Sequence, residues 1–231
     1  MGVPSEGAAH VFVASLGELA LAPADVHHLG RVLRLRVGER VTASDGRGSW
    51  CWTVWTGDGV AVDGDVVVEG SPTPSVTVAF APVKGDRPEW AVQKLTELGV
   101  DRIVGLVADR SVVRWDDERA AKQQSRWETV AREAAMQSRR AWLPDVTAQV
   151  PFAAAAAWPG AALADRDGGP ASVARPSVLI GPEGGWSEAE RALADALAVP
   201  RIGLSDGVLR TETAAVAAGV VLTTLRLGHR G

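Results

Sequence analysis

The sequence predicts a small antiparallel β-barrel domain over residues 1–72 and an α/β domain with a mainly parallel sheet over residues 73–231. The first part contains short β-prone runs separated by Asp-Gly turn signals. In the second part, continuous apolar runs alternate with segments of helical periodicity, as in a parallel sheet covered on both faces. Pro72 and Pro74 mark the change of pattern, because proline cannot donate to a sheet ladder and restricts the residue before it.

In the first domain, strands are expected over residues 10–14, 40–43, 50–55 and 66–68. The stretch 21–35 is the exception, since it is suited to one short helix. On such a helix, Arg31 and Arg34 share one face, to which His28 could add. This face predicts contacts with RNA phosphates, and the alternative is a plain solvated surface.

In the second domain, strands are expected over 76–81, 103–107, 178–180 and 201–202, and helices over 89–98, 117–140, 187–197 and 213–225. Gly99 is placed to end the first of these helices, and Ser187 with Glu190 forms a capping box that begins the third. The last helix is apolar almost all round, so we expect it to be buried, either in the core or against a second copy of the chain.

Composition narrows the function classes only slightly. Charged residues make up 23% of the chain and the net charge is −4, so the overall balance does not indicate nucleic-acid binding. No apolar run is long enough to cross a bilayer and residues 1–10 lack the plan of an export signal, so we expect a cytoplasmic protein without membrane contact. The single cysteine, Cys51, has no partner for a disulfide or a cysteine-rich zinc site, and no metal is expected.

The segment Gly181-Pro182-Glu183-Gly184-Gly185 follows a predicted buried strand and precedes a predicted helix. Its glycines allow positive φ angles and close approach of a ligand to the backbone. Ligands of open parallel sheets bind outside the carboxyl ends of the strands, where this loop must lie. It lacks the Lys-Ser/Thr pair of phosphate-binding loops, and no G-x-G-x-x-G motif is present. The alternative is an ordinary strand-to-helix turn.

A second loop, residues 203–214, also follows a predicted strand and precedes a helix. Arg210 stands immediately before that buried helix. It could pair with Glu183 or Glu212, or it could recognise an anion or a base at a substrate pocket.

Residues 133–140 form a third segment of interest. Glu133, Gln137 and Arg140 share one face of the predicted helix 117–140, which is either a solvated polar stripe or one wall of a pocket.

The order of these motifs resembles the RsmE family of 16S ribosomal RNA uridine-N3 methyltransferases, which belong to the SPOUT superfamily. The two loops Gly181-Pro182-Glu183-Gly184-Gly185 and Leu209-Arg210-Thr211-Glu212-Thr213-Ala214 carry part of this resemblance. The other matching stretches, in family order, are residues 28–39, 45–48, 84–87, 93–100, 110–111, 126–127 and 133–140.

The resemblance implies a PUA-like RNA-binding β-barrel followed by a SPOUT domain with a C-terminal trefoil knot. It also implies S-adenosylmethionine as the cofactor, methylation of N3 of a uridine in 16S rRNA of the small ribosomal subunit, and a homodimer.

Site residues are carried over from the resemblance in three groups. The cofactor-binding residues are Leu163, Gly181, Pro182, Glu183, Gly184, Gly185, Leu204, Leu209, Arg210, Thr211, Thr213 and Ala214. The expected RNA contacts are His28, Arg31, Arg34, Lys84, Arg87, Arg110 and Arg140. The candidate catalytic residues are Arg210, which would stabilise charge on the ring oxygens, and the carboxylates Glu212 and Glu133, beside which Glu183 is a further possible proton acceptor.

Three other functions are alternatives to this interpretation. A SPOUT methyltransferase could act on a ribose 2′-hydroxyl or on a guanine of transfer RNA, although the first-domain motif and the segment 137–140 favour the ribosomal enzyme. A non-catalytic RNA-binding ribosome-assembly factor would not bind S-adenosylmethionine, which calorimetry would reveal. An adenylate-binding metabolic enzyme would need phosphate-contacting features that this chain lacks.

Overall fold

The computed structural model describes residues 2–229, and the chain divides into two compact units. One unit contains the chain up to Ser71 together with Arg132–Leu143. The other contains Pro72–Ala131 together with the chain from Pro144 onward. Within the described residues, no helix is both long enough and apolar enough to span a membrane.

The first unit is built on a five-stranded sheet. Its strands are β1 (Ala9–Phe12), β2 (Arg40–Ser44), β3 (Ser49–Trp55), β4 (Val60–Val62) and β5 (Val67–Val68). The pairs formed by β3 are antiparallel, as expected, but β1 pairs with β2 in parallel, and β4 has no counterpart among the predicted strands. The core beneath the sheet includes Val11, Leu29, Val41, Ala43 and Trp55.

The helix predicted over residues 21–35 is shorter than expected. Helix α1 (Pro23–His27) continues into a single π-helical segment (His28–Val32) and ends there. Arg34 lies beyond the end in the left-handed region, with φ of 56°. The prediction that Arg31 and Arg34 share one helical face is therefore wrong, although both side chains and His28 are exposed.

Two arginines after residue 131 hold the N-terminal segment of this unit. Arg132 makes two hydrogen bonds to the buried Asp25, of 3.0 Å and 2.6 Å, and donates to the carbonyl oxygen of Phe12. Arg139 donates to the carbonyl oxygens of Pro4 and Gly7. Because the Asp25 carboxylate is buried, loss of its arginine partner would be costly, and these contacts together fix the chain between Pro4 and Phe12.

The second unit contains a six-stranded sheet in the order β11-β9-β10-β6-β7-β8, in which every neighbouring pair is parallel. The strands are β6 (Thr77–Phe80), β7 (Arg102–Val107), β8 (Asp145–Pro151), β9 (Ala161–Gly169), β10 (Ser177–Ile180) and β11 (Arg201–Ile202). The helices are α2 (Arg87–Glu97), α3 (Asp117–Gln137), α4 (Phe152–Ala156), α5 (Glu188–Ala196) and α6 (Thr211–His229). The predicted α/β class with a mainly parallel sheet is confirmed; the sequence patterns did not indicate β8, β9 or α4.

Helix α6 packs against α2, β6 and β10. A Cβ atom at Gly219 would lie 2.8 Å from a methyl carbon of Leu95, so the two helices approach closely because this position lacks a side chain. The helix is not buried all round, because Val220, Leu225 and Leu227 remain exposed.

His10 gives the first unit a pH-dependent stability. Its side chain is buried, its Nε2 donates to the carbonyl oxygen of Arg140 at 3.1 Å, and its Nδ1 lies 2.8 Å from the hydroxyl of Thr42. Burial lowers the pKa of His10 to about 4 from 6.5. The unfolded chain therefore binds more protons than the folded chain between these two values, and stability rises with pH across that interval.

We expect the free energy of unfolding to fall by about 3 kcal/mol through His10 alone as the pH is lowered from 6.5 to 4. Urea titrations at several pH values would measure this loss. In His10→Gln the corresponding part of the slope should disappear, whereas His28→Gln, at an exposed histidine, should keep the wild-type slope. Identical slopes in all three proteins would contradict the assignment.

Candidate functional site

The carboxyl ends of three neighbouring parallel strands meet at one edge of the second unit's sheet. Strand β9 lies between β10 and β11, so the segments that leave these strands are adjacent. Between Arg201 and Ile202 of β11, the paired residue on β9 changes from Leu163 to Gly169. Residues 164–168 therefore bulge out of the ladder at this edge, and bulges of this kind re-aim side chains beside functional sites.

The glycine-rich loop after β10 is held by a tight turn. The amide of Gly185 donates to the carbonyl oxygen of Pro182 at 2.8 Å, and Gly185 has a φ of 70°, which favours glycine. The indole N–H of Trp186 donates to the carbonyl oxygen of Ala164 at 3.1 Å, which attaches the loop to the bulge. The predicted capping box of Ser187 and Glu190 begins α5, as expected.

The loop after β11 is tied to the glycine-rich loop through the first residue of α6. The hydroxyl of Thr211 donates to the carbonyl oxygen of Gly181 at 3.2 Å. Thr211 itself is buried, so this bond fixes the start of α6 against the end of β10.

These three segments enclose a cleft with a volume of about 230 Å³. Its walls combine apolar side chains with backbone groups and a few charged side chains, the usual make-up of a small-molecule site. The lining residues are Ala164, Asp165, Arg166, Ile180, Gly181, Pro182, Glu183, Gly185, Trp186, Arg191, Leu204, Ser205, Gly207, Val208, Leu209, Thr211 and Ala214.

A network of charges surrounds the glycine-rich loop. Nη1 of Arg87 lies 3.2 Å from Oε1 of Glu212 and 3.7 Å from Oε1 of Glu183. The other carboxylate oxygen of Glu212, Oε2, is buried and has no hydrogen-bond partner among residues 2–229. Arg110 donates to the carbonyl oxygen of Gly184 at 2.8 Å. Arg87 at the start of α2 and Arg110 after the end of β7 thus contact this loop.

On the cleft wall itself, Arg191 and Asp165 form an ion pair with Nη1 and Oδ2 separated by 2.7 Å. Glu183 adds a second carboxylate. Apolar surface beside acceptors and the two arginines Arg166 and Arg191 fits the parts of S-adenosylmethionine, which are an uncharged adenosine, a sulfonium and an amino-acid zwitterion. In the part of the chain that is described, no group of three or more His, Cys, Asp or Glu residues could hold a metal ion.

The structure places eight of the predicted cofactor-binding residues in the lining of the cleft: Gly181, Pro182, Glu183, Gly185, Leu204, Leu209, Thr211 and Ala214. The other four lie beside it. Leu163 is fully buried in β9 behind the bulge, and Gly184 contributes its carbonyl oxygen to Arg110. Arg210 and Thr213 are exposed next to Thr211.

The remaining predicted residues are dispersed. Glu212 is buried at the start of α6, whereas Glu133 is exposed on α3 in the other unit. Lys84 and Arg110 are exposed, and Arg87 and Arg140 are half-buried.

Sequence reasoning missed several lining residues, among them Arg166, Trp186 and Arg191. Trp186 directly follows the glycine-rich loop and Arg191 is four residues after the helix cap Ser187, so both positions could have been found from the capping box. Arg166 lies in an Ala-rich region without a motif, and no signal in the sequence pointed to it.

Comparison with known proteins adds independent information. Residues 69–223 match a family model described as RNA methyltransferase domain, and residues 21–51 match one described as RNA methyltransferase PUA domain. A Mycobacterium bovis protein named ribosomal RNA small subunit methyltransferase E is 36% identical over 216 residues, covering 84% of this chain and 82% of its own length.

Two solved structures resemble more than nine-tenths of the chain. A probable rRNA-methyltransferase from Porphyromonas gingivalis has a TM-score of 0.82 at 29% identity, covering 96% of this chain and 100% of that one. A ribosomal RNA small subunit methyltransferase E from Neisseria gonorrhoeae, bound to S-adenosyl methionine, has a TM-score of 0.79 at 26% identity, covering 94% of this chain and 97% of that one.

The bond between Thr211 and Gly181 can be tested by removing one hydroxyl. We expect Thr211→Val to lower the free energy of unfolding by about 1 kcal/mol and to weaken S-adenosylmethionine binding, because the two loops lose their direct link. Chemical denaturation and titration calorimetry would measure the two effects. Thr224→Val, at an exposed position of the same helix, is the matched control. Equal behaviour of the two variants would show that the hydroxyl does not hold the cleft.

Proposed function

The chain belongs to the ribosomal RNA small subunit methyltransferase E family, and from this membership we propose that it transfers a methyl group from S-adenosylmethionine to N3 of a uridine in 16S rRNA of the small subunit. The resemblance inferred from the motifs is thereby confirmed at the level of the family. The fold class is confirmed with it: a SPOUT α/β domain with a mainly parallel sheet, preceded by a PUA-like domain. The C-terminal trefoil knot that the resemblance implies is part of the proposal.

One observation supports this function more than any other. Two glycine-containing loops, joined by the hydrogen bond from Thr211 to Gly181, form a cleft at the carboxyl ends of three parallel strands. The Neisseria gonorrhoeae relative binds S-adenosyl methionine, which supports the same ligand here.

When bound, S-adenosylmethionine supplies an already activated methyl group, so the protein's task is placement. We assign the lining residues of the two loops to hold it, with Leu163 supporting the bulge from behind and Gly184 held by Arg110. Because Gly185 has a positive φ, the loop can present backbone groups rather than side chains to the ligand.

Methylation of uridine N3 requires two contributions from the protein. The N3–H of uridine is a weakly acidic imide, so a proton acceptor is required, and negative charge spreads onto the ring oxygens. In this proposal Arg210, exposed immediately before α6, donates to one of these oxygens. Glu183, Glu212 and Glu133 are the carboxylates available to accept the proton. Among them, Glu212 has one oxygen engaged with Arg87 and the other buried without a hydrogen-bond partner in the described chain.

RNA would be held by phosphate contacts from His28, Arg31, Arg34 and Arg140 in the first unit and from Lys84, Arg87 and Arg110 in the second. Replacing Arg31 and Arg34 together should weaken RNA binding and reduce its dependence on salt, because each phosphate contact releases counterions. An unchanged salt slope would remove these two arginines from the interface.

We also place the protein in the cytoplasm as a homodimer. The exposed apolar side chains Val220, Leu225 and Leu227 on α6 support the dimer, because a second copy could cover them.

The direct test of the reaction uses small subunits from a strain that lacks the gene. Incubation with the protein and methyl-labelled cofactor should label 16S rRNA at N3 of one uridine, as mapped by nuclease digestion and mass spectrometry. Label on a ribose or on another base would replace this proposal with a different methylation, and no label on any RNA would contradict enzymatic function.

The role of Arg210 gives a mutational prediction. We expect Arg210→Ala to reduce kcat by about 10²- to 10³-fold with little change in cofactor affinity, because the guanidinium acts as charge develops. Single-turnover methylation and calorimetry separate these quantities. Arg175→Ala, at an exposed arginine outside the cleft, is the control. Normal turnover in Arg210→Ala would exclude the assigned role.

A further inference from the structure

We propose that the ion pair of Asp165 and Arg191 recognises the amino-acid end of the methyl donor. In this arrangement, Asp165 accepts hydrogen bonds from the ammonium group and Arg191 donates to the carboxylate. The inference rests on the proposed function, since it names the residues of the same cleft that bind one part of the cofactor.

Both side chains line the cleft and are already paired with each other. Nη1 of Arg191 lies 2.7 Å from Oδ2 of Asp165. The Asp165 side chain is 14% exposed and that of Arg191 is 42% exposed, so the carboxylate is largely withdrawn from solvent while the guanidinium retains open surface. Such a pair offers one acceptor and one planar donor side by side.

The two residues are placed by rigid parts of the fold. Asp165 lies on the bulge of β9, which Trp186 fixes by donating to the carbonyl oxygen of Ala164. Arg191 lies in the first turn of α5, where its amide donates to the carbonyl oxygen of the capping-box residue Ser187 at 3.0 Å. Little side-chain or backbone ordering is therefore left for the ligand to induce, which favours affinity.

The chemistry of the ligand matches this pair. The amino-acid end of S-adenosylmethionine carries one ammonium and one carboxylate, and each finds its opposite charge in the pair. Charge-assisted hydrogen bonds of this kind are about twice as strong as neutral ones, and guanidinium binds carboxylate through two parallel bonds. The adenosine part of the cofactor is uncharged, so it is suited to contact the apolar side chains of Ile180, Leu204 and Leu209 instead.

Three ligands separate the two contacts in calorimetric titrations. S-adenosylmethionine carries both groups, decarboxylated S-adenosylmethionine keeps only the ammonium, and 5′-methylthioadenosine has neither and also lacks the sulfonium charge. Wild-type protein should bind them with decreasing affinity in that order. S-adenosylhomocysteine, which keeps the amino-acid end without the sulfonium, is the control for that charge, and Asp165→Asn should weaken it as much as it weakens S-adenosylmethionine.

Each variant should weaken the binding of a different subset of these ligands. Arg191→Gln should weaken S-adenosylmethionine by about tenfold or more and leave the two other ligands within roughly twofold. Asp165→Asn should weaken S-adenosylmethionine and its decarboxylated form, again by about tenfold or more, and leave methylthioadenosine unchanged. Arg201→Gln removes another 2.7 Å Arg–Asp pair, formed with Asp195 of α5 outside the cleft, and should change none of the three affinities.

Equal weakening of S-adenosylmethionine and methylthioadenosine by Arg191→Gln would overturn the inference, because the pair would then only support the fold. If a thermal scan shows that Arg191→Gln does not fold, Asp165→Asn provides the test. Equal weakening of decarboxylated S-adenosylmethionine and methylthioadenosine by Asp165→Asn would then overturn the inference. Wild-type protein that binds methylthioadenosine as tightly as S-adenosylmethionine would overturn this inference alone. Wild-type protein that binds none of the three ligands would overturn the proposed function as well.

Discussion

The parallel pairing of β9 with both β10 and β11 is the constraint on which the site depends. It brings three carboxyl ends to one edge of the sheet, and the change of register between Leu163 and Gly169 forces the intervening residues outward. The close approach at Gly168, where a Cβ atom would lie 2.3 Å from the backbone carbonyl carbon of Ile202, lets the strands pair again after the bulge. The cleft is therefore a consequence of strand register and small residues.

The loops at this edge are held mainly by hydrogen bonds to their backbone. Thr211 and Arg110 donate to carbonyl oxygens of the glycine-rich loop, and Trp186 donates to the carbonyl oxygen of the bulge at Ala164. The loop can thus be glycine-rich, leaving its backbone accessible to a ligand, without losing a defined shape. A cofactor that brings its own reactive methyl group needs such a fixed cradle, since positioning is the protein's main contribution.

The sequence indicated the parts of this fold whose signals are local. The strand 178–180, the capping box and the helix after Arg210 follow from apolar runs and cap residues, and the structure contains them. Strand β9 has an Ala-rich sequence without strong β-propensity, and its bulge is set by pairing with β11 rather than by its own residues. Likewise, the pairing of Asp165 with Arg191 joins positions that are 26 residues apart in the sequence. The segment Arg132–Leu143 packs with the first unit, although in the sequence it lies between two segments of the second unit. Such long-range placement has no signature in local periodicity.

The most direct test of the central claim is a crystal structure of the protein grown with S-adenosylmethionine. The account predicts density for the cofactor between the glycine-rich loop after β10 and the loop that precedes α6, within contact distance of Gly185 and Leu209. Cofactor bound at any other place, or a cleft that stays without ligand at saturating concentration, would contradict it.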